Sequence, residues 1–169
     1  MHVDEAIRSR RTIKAYAAEP VAADVLESLF ELARWAPNHH LTEPWRFRVL
    51  GAQALARLRA AAGPEAAGKL ERAPTLIVST ALLSGDPVQD EEDLHATACA
   101  TYIVLLGAHA RGLGGYWRTP EVLRTAGGRA ACGIGDDERF VGLIHLGEAR
   151  QGKEPPPRSD PASFASFLP

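Results

Sequence analysis

Apolar residues recur every three to four positions from Ala22 to Ala33. Ala22, Val25, Leu26, Leu29, Phe30 and Ala33 form one unbroken stripe, a spacing that predicts a helix over 22–33. Ala36-Pro37 stops it, since a proline pushes the residue before it out of the α region. Leu32 and Trp35 fall off the stripe and give the helix a second apolar flank, suited to contacting something beyond its own core, such as another subunit. A shorter helix precedes it on Val3, Ala6 and Ile7 and ends in a basic run of Arg8, Arg10, Arg11 and Lys14. Residues 38–44 read as a polar loop. Trp45, Phe47 and Val49 then alternate with Arg46 and Arg48, the period of a half-buried strand over 45–50.

Further along, 53–62 reads as a helix broken by Gly63-Pro64, with one further turn at 69–72. Leu76-Ile77-Val78 centres a buried strand over 74–82. A long helix over about 90–111 is apolar on most sides in its second half, which makes it central. Gly112-Leu113-Gly114-Gly115 ends it and leads into Tyr116-Trp117-Arg118-Thr119. A short helix over 120–126 and a second buried strand over 140–146 follow. The segment 151–169 holds Pro155-Pro156-Pro157, then Phe164 and Phe167, a composition that suggests an extended arm packing on another surface. Helices dominate and strands alternate with them irregularly, so an α+β layer architecture is expected rather than a regular βαβ winding. No internal repeat appears, and 1–169 reads as a single domain.

Composition narrows the chemistry. At 169 residues the chain is long enough for a real core without disulfide or metal staples. Its 19 basic and 21 acidic residues nearly cancel, unlike the broad positive surface of a general nucleic-acid binder. Cys99 and Cys132 are too few for a disulfide framework and form no C-x-x-C pair. The amino end turns acidic at Asp4-Glu5, and no stretch approaches the run of about 20 apolar residues that spans a bilayer. A cytoplasmic protein without membrane contact is the expectation.

Several clusters bear on function. Glu91, His95 and Cys99 share a helix face, but three ligands up one helix rarely surround an ion; buried helix packing is the simpler reading, and no metal is expected. His39 and His40 are adjacent, which should aim their rings apart. Gly112–Gly115 ends a helix before a strand, the reverse of a dinucleotide fingerprint, and Gly133-Ile134-Gly135 precedes an acidic run that would repel phosphate. The acidic run Asp90-Glu91-Glu92-Asp93 complements the positive end of a helix dipole. Arg10-Arg11-Thr12-Ile13-Lys14 admits two readings. Its cations offset the negative end of the first helix, or its two guanidinium forks, hydroxyl and lysine grip a phosphate dianion.

Three segments, in order and spanning nearly the whole chain, resemble the FMN-dependent nitroreductase family. They are Ile7-Arg8-Ser9-Arg10-Arg11-Thr12-Ile13-Lys14-Ala15-Tyr16 with Pro20-Val21; Ala33-Arg34-Trp35-Ala36-Pro37-Asn38-His39-His40 running into Glu43-Pro44-Trp45-Arg46-Phe47; and Gly112-Leu113-Gly114-Gly115-Tyr116-Trp117-Arg118-Thr119, followed by Phe140-Val141-Gly142-Leu143-Ile144-His145-Leu146-Gly147. The short length and the Trp-Arg-Thr element are similar to the family's compact branch of NAD(P)H nitroreductases. The resemblance implies a mainly antiparallel central sheet wrapped by helices, and a homodimer with FMN at the subunit interface. It assigns Arg10, Arg11 and Thr12 to the phosphate and ribityl end from one subunit, with Lys14 as a cation near the flavin. Trp35 and His39 would reach the flavin from the other subunit, and Trp117, Arg118 and Thr119 would line the isoalloxazine or its polar edge. Two departures stand out: Glu43 replaces the family's usual Gln before Pro-Trp, and Asn38-His39-His40 replaces its Ser/Asn pattern. A carboxylate near the ring would disfavour its reduction.

The activity so implied is a ping-pong oxidoreductase. NAD(P)H gives hydride to FMN and leaves, and a nitroaromatic, quinone or similar electron-poor acceptor then takes the electrons. No catalytic acid or base is named. A dehydrogenase or dehalogenase of the same fold, a non-catalytic flavin-binding or buffering protein, and a plain scaffold dimer are the competing readings.

Overall fold

The computed structural model describes residues 1–168. Four strands form one fully antiparallel sheet in the order β1-β2-β4-β3, with β1 at Trp45–Val49, β2 at Thr75–Leu82, β3 at Leu113–Arg118 and β4 at Glu138–Glu148. The helices are α1 (Val3–Ser9), α2 (Ala23–Ala33), α3 (Ala52–Ala67), α4 (Pro87–Ala110) and α5 (Ala126–Ala131). The α+β expectation, with a mainly antiparallel sheet, matches this architecture.

Strand alternation splits the core into two layers. On one face Ile77, Ile144 and Leu146 pack against Leu26, Leu29 and Ala33 of α2 and Ala100, Val104, Leu105 and Ala108 of α4. On the other, Leu76, Val78 and Leu143 meet Leu58 of α3, Leu123 and Ala131. Phe140 joins the second layer although Leu143 lies three residues on. The β2–β4 register slips between Ser79 and Thr80, leaving Val141 as an extra residue that reverses the alternation. The face towards α4 is thus built by the 22–33 stripe and the second half of the long helix, as their patterns predict.

Several boundaries differ from the sequence expectation. α4 begins at Pro87 because the Asp86 carboxylate caps it, accepting from the N–H groups of Val88 and Gln89 at 2.9 and 3.0 Å. α3 breaks at Gly63, whose φ of 73° and ψ of 170° are not helical, as Gly63-Pro64 predicts, and a further short helical segment then carries it to Ala67. Residues 69–72 form turns rather than a helical turn. β3 starts at Leu113, so Gly112, with φ 80°, ends α4 as expected while Gly114 and Gly115 belong to the strand. In place of a helix over 120–126 there is a single 3-10 turn at Glu121–Arg124, then α5, capped by the Thr125 hydroxyl, which accepts from Gly128 N–H. The Ala-Gly-Gly-Arg-Ala-Ala sequence of α5 has low helix propensity and no apolar period, so its helicity rests on that cap and on packing.

Candidate functional site

The basic segment after α1 is the first element of the site. The helix closes at Ser9, so Arg11, Thr12 and Lys14 lie beyond it in extended chain, and only Arg8 and Arg10 are placed to offset its dipole. Thr12 pairs in parallel with Gly115 of β3, and Ile13 N–H donates to the Gly115 carbonyl at 3.1 Å. The chain then crosses the sheet to Tyr16, which pairs with Ala149 beyond β4.

A pair of glycines makes that crossing possible. Gly114 and Gly147 face each other across β3 and β4. A Cβ on Gly114 would sit 3.0 Å from Ile13 Cβ, and one on Gly147 would sit 2.9 Å from the Pro74 ring and 3.2 Å from Tyr16 Cδ1. The Tyr16 hydroxyl locks the crossing by donating to the Ile13 carbonyl at 2.5 Å. The cleft beside it, about 340 Å³, is lined by Thr12, Ile13, Lys14 and Ala15 with Gln151 and Lys153. Neither of the last two residues is singled out by sequence reasoning, since nothing local links them to the first motif. The buried Nε atoms of Arg10 and Arg11 have no hydrogen-bond partner among the described residues. Donors held without acceptors suit an anion.

Strand alternation also decides which of Trp117, Arg118 and Thr119 can act together. Arg118 and Tyr116 share one face; Arg118 lies 6.0 Å from the Tyr116 ring centre, and Lys14 lies 5.4 Å from it. Arg118 is anchored by donating to the Lys69 carbonyl at 3.0 Å. Trp117 turns to the α4 face, where its indole N–H donates to Val141 O at 3.2 Å, and Thr119 is exposed just past the strand. Tyr116 is therefore a candidate site residue that the motif reading passes over; the period of two in β3 is the signal that finds it. Directly across from Tyr116 on β4 lies His145, fully buried, with both ring nitrogens unpartnered among the described residues. Burial, with Arg118 and Arg72 nearby, lowers its pKa to about 4, so the ring is neutral.

Trp35 and His39 stand elsewhere. Trp35 follows α2 and is 77% exposed, beside Leu32 and Leu41, which are exposed too. His39 lies in a loop where His40, Leu41 and Glu43 all adopt positive φ, of 54°, 52° and 44°. Such strain persists only when the surroundings hold it. Buried Asp93 does so by accepting from the Thr42 hydroxyl at 2.5 Å and from Gln89 at 3.1 Å, while Asn38 Oδ1 accepts from Glu43 N–H. The acidic run at the start of α4 thus does more than complement a dipole: Asp93 ties down the loop, and Glu92 meets His39 Nδ1 at 2.7 Å. The two histidine rings, expected to point apart, stack at 3.8 Å because His40 takes a left-handed backbone. Glu91, His95 and Cys99 are exposed rather than packed, and no group of metal-ligating side chains forms among the described residues.

The two halves of the candidate site lie at opposite ends of α4. His39 meets Glu92 in its first half, whereas the Arg10–Arg11 segment lies beside His109 in its last turn. At 1.5 Å per residue, about 25 Å of helix separates them. No helix among the described residues is long and apolar enough to cross a membrane.

Comparison with known proteins supplies the family. Residues 7–148 match the model of the Nitroreductase family. YfhC of Bacillus subtilis, provisionally named an NAD(P)H nitroreductase, is 28% identical over 164 residues, covering 88% of this chain and 84% of its own. A nitroreductase-like family protein from Bacillus cereus superposes with a TM-score of 0.90 at 23% identity, covering 99% of this chain and 96% of the other. A Desulfovibrio desulfuricans protein, provisionally named a nitroreductase and solved in complex with FMN, gives a TM-score of 0.81 at 25% identity, with 99% and 96% covered. With most of its length matched by the family model, this chain belongs to the Nitroreductase family.

Proposed function

We propose that the chain is an FMN-dependent NAD(P)H oxidoreductase that works as a cytoplasmic homodimer and reduces nitroaromatics, quinones or similar electron-poor acceptors. The observation that carries this reading is the separation of the two half-sites along α4. Arg10–Lys14 with Arg118 at one end, and Trp35 with His39 at the other, are too far apart in one protomer to hold one mononucleotide. A twofold dimer brings one half from each copy together. Exposed Leu32, Trp35 and Leu41 supply an apolar surface for that contact, and so does the arm 151–168, exposed throughout and carrying Phe164, Phe167 and Leu168. Both cysteines are free, as suits a reducing compartment.

The residues present fit FMN. Thr12 and Lys153 line the cleft proposed for its phosphate, and Arg10, whose guanidinium lies 5.9 Å from the Tyr102 ring, brings a buried Nε without a partner among the described residues. Lys14 and Arg118, converging on Tyr116, place two cations where the polar edge of a flavin would gain charge on reduction. The partner's copy of the 35–43 segment would cover the ring, with Trp35 as an exposed aromatic surface and His39 held by Glu92. When bound, FMN supplies the two-electron chemistry that links NAD(P)H to the acceptor. The protein's part is to bind and orient, to supply positive charge through Lys14 and Arg118, and to exclude water with Trp35 and Leu41. A cleft of about 380 Å³ lies beside Trp35, Pro37, Leu41 and Glu43, and in the proposed ping-pong order NAD(P)H and then the acceptor would use it in turn. Glu43 at its rim sets a negative charge there and favours acceptors without a carboxylate of their own.

The test is direct. Freshly purified protein should be yellow, and NADH or NADPH oxidation should accelerate on adding menadione or a nitroarene. A colourless protein that does not take up FMN overturns the proposal; a yellow one without acceptor-dependent turnover reduces it to flavin binding.

A further inference from the structure

Ile13 divides the basic trough beside the N-terminal segment into two lobes. The inner lobe, towards Thr12 and Lys14, is the cleft assigned above to the flavin phosphate. The outer lobe, about 420 Å³, shares Ile13, Gln151, Gly152 and Lys153 with it but is otherwise built from different residues. Arg11, which the family resemblance assigns to the flavin phosphate, lines this lobe and not the inner one, its Nη1 donating back to the Arg10 carbonyl at 2.6 Å. Arg150 and Lys153 bring two more cations from the chain after β4, and no carboxylate is among the lining residues.

Ser9 and His109 also line the lobe. The Ser9 hydroxyl must donate to the Glu5 carbonyl, 2.6 Å away, because a carbonyl only accepts. In its 2.7 Å contact with His109 Nε2 the same oxygen is therefore the acceptor, and Nε2 carries a proton. That fixes the ring and leaves Nδ1 free. Burial, then Arg10 and Arg11, lower the His109 pKa, against a smaller opposing pull from Glu5. Burial first and the two guanidinium charges second disfavour the protonated ring, and a dianion beside it would offset the second of these. Met1, Ile13 and Leu113 add an apolar wall, and Gly112 and Gly114 keep it free of side chains. Cations on one side and a flat apolar wall on the other suit a phosphate attached to a planar base.

We infer that this outer lobe, lined by Arg11, His109 and Arg150, is a second nucleotide site, taking the phosphate and purine of an adenine nucleotide. Such a moiety arrives either as the ADP half of a pyridine nucleotide or as the AMP half of FAD. The lobe is lined by residues of one protomer, but it shares Ile13, Gln151, Gly152 and Lys153 with the inner cleft, so the inference rests on the flavin reading for the division between the two.

Calorimetric titration of the protein as purified with ADP, and of flavin-stripped protein with FMN and FAD, tests it. Wild type is expected to bind ADP below 1 mM, in line with a few charge-assisted contacts. A His109→Gln/Arg150→Ala double variant is expected to bind ADP at least about tenfold more weakly. Its FMN affinity should stay within about threefold of wild type. FAD binding more tightly than FMN, with the excess lost in the double variant, assigns the lobe to FAD. ADP binding to flavin-loaded protein with FAD no tighter than FMN assigns it to the pyridine nucleotide. Absence of ADP binding, ADP affinity unmoved by the substitutions, or FMN affinity falling in parallel each overturns the inference. A colourless protein that binds ADP would sink the flavin reading and leave this one standing; a yellow protein indifferent to ADP would do the reverse.

Discussion

Replacing Gly147 by alanine adds one methyl where the N-terminal segment crosses the sheet. The new Cβ would lie 2.9 Å from Pro74 Cγ and Cδ and 3.2 Å from Tyr16 Cδ1. Both neighbours are rings, and neither can rotate a flexible end away. Relief therefore comes by lifting Tyr16, and with it Ile13, whose carbonyl accepts from the Tyr16 hydroxyl. Overpacking of this kind costs about 1–3 kcal/mol. For a chain of this size the melting temperature should fall by roughly 3–10 °C. Because Thr12 and Lys14 ride on the displaced segment, FMN affinity should fall by about tenfold as well. Gly68→Ala is the control: Gly68 has φ −62°, and nothing lies within 4 Å of its would-be Cβ. That substitution should leave stability unchanged or raise it by up to about 1 kcal/mol. Thermal melts and fluorescence titration with FMN read both quantities. A Gly147→Ala protein that melts and binds FMN like wild type would refute the close crossing as the device that shapes the cleft.

Acid should destabilise the fold in two windows. His145 is neutral when folded and takes a proton more readily when unfolded, so its contribution is complete above its ordinary value of 6.5 and is lost as pH falls towards about 4. That is about 3 kcal/mol, and His145→Leu should flatten the corresponding slope in a denaturant–pH series. Burial pushes the Glu138 carboxyl up, but hydrogen bonds from Arg48, Thr80 and Gly135 N–H, with the Arg48 charge, outweigh it and hold the group below its ordinary 4.5. Its contribution is therefore present above that value and lost as pH falls further. Glu138→Ala, which strands Arg48 in a half-buried site, should cost about 3–5 kcal/mol at neutral pH in equilibrium unfolding. Asp93→Ala removes the acceptor for Thr42 and Gln89 and should cost about 1–3 kcal/mol, with faster hydrogen exchange confined to the loop over 38–43.

The elements with strong periods were legible in the sequence. The 22–33 stripe, the β2 run and the apolar second half of α4 each carry a signal longer than the errors at their ends. α5 was not, because two glycines in six residues erase any pattern and its stability comes from contacts distant in sequence. The basic segment over 10–14 was legible in composition, yet its geometry depends on Gly114 and Gly147 facing each other across strands joined by a long connection. The same limit hid Tyr116 and His145, whose roles follow from which strand face they occupy. It also hid Asp93, where a run of four acids read as one feature divides into Asp93, which anchors a loop, Glu92, which pairs with His39, Asp90, which accepts from Ser84 and Gly85, and an exposed Glu91. The stacking of His39 on His40 follows from a left-handed backbone that no residue type at those positions announces.

The central claim is that each flavin is held by opposite ends of α4 from two copies of the chain, and complementation between variants tests it most directly. Arg10→Ala/Thr12→Ala damages one half-site and Trp35→Ala/His39→Ala the other, so each homodimer alone should bind FMN poorly. Mixed, partly unfolded and reassembled at equal concentrations, half of the dimers become hybrids in which one site is wild type in both halves. FMN binding should return to about a quarter of the wild-type capacity at wild-type affinity. A mixture that binds no better than its two parents would contradict the shared site.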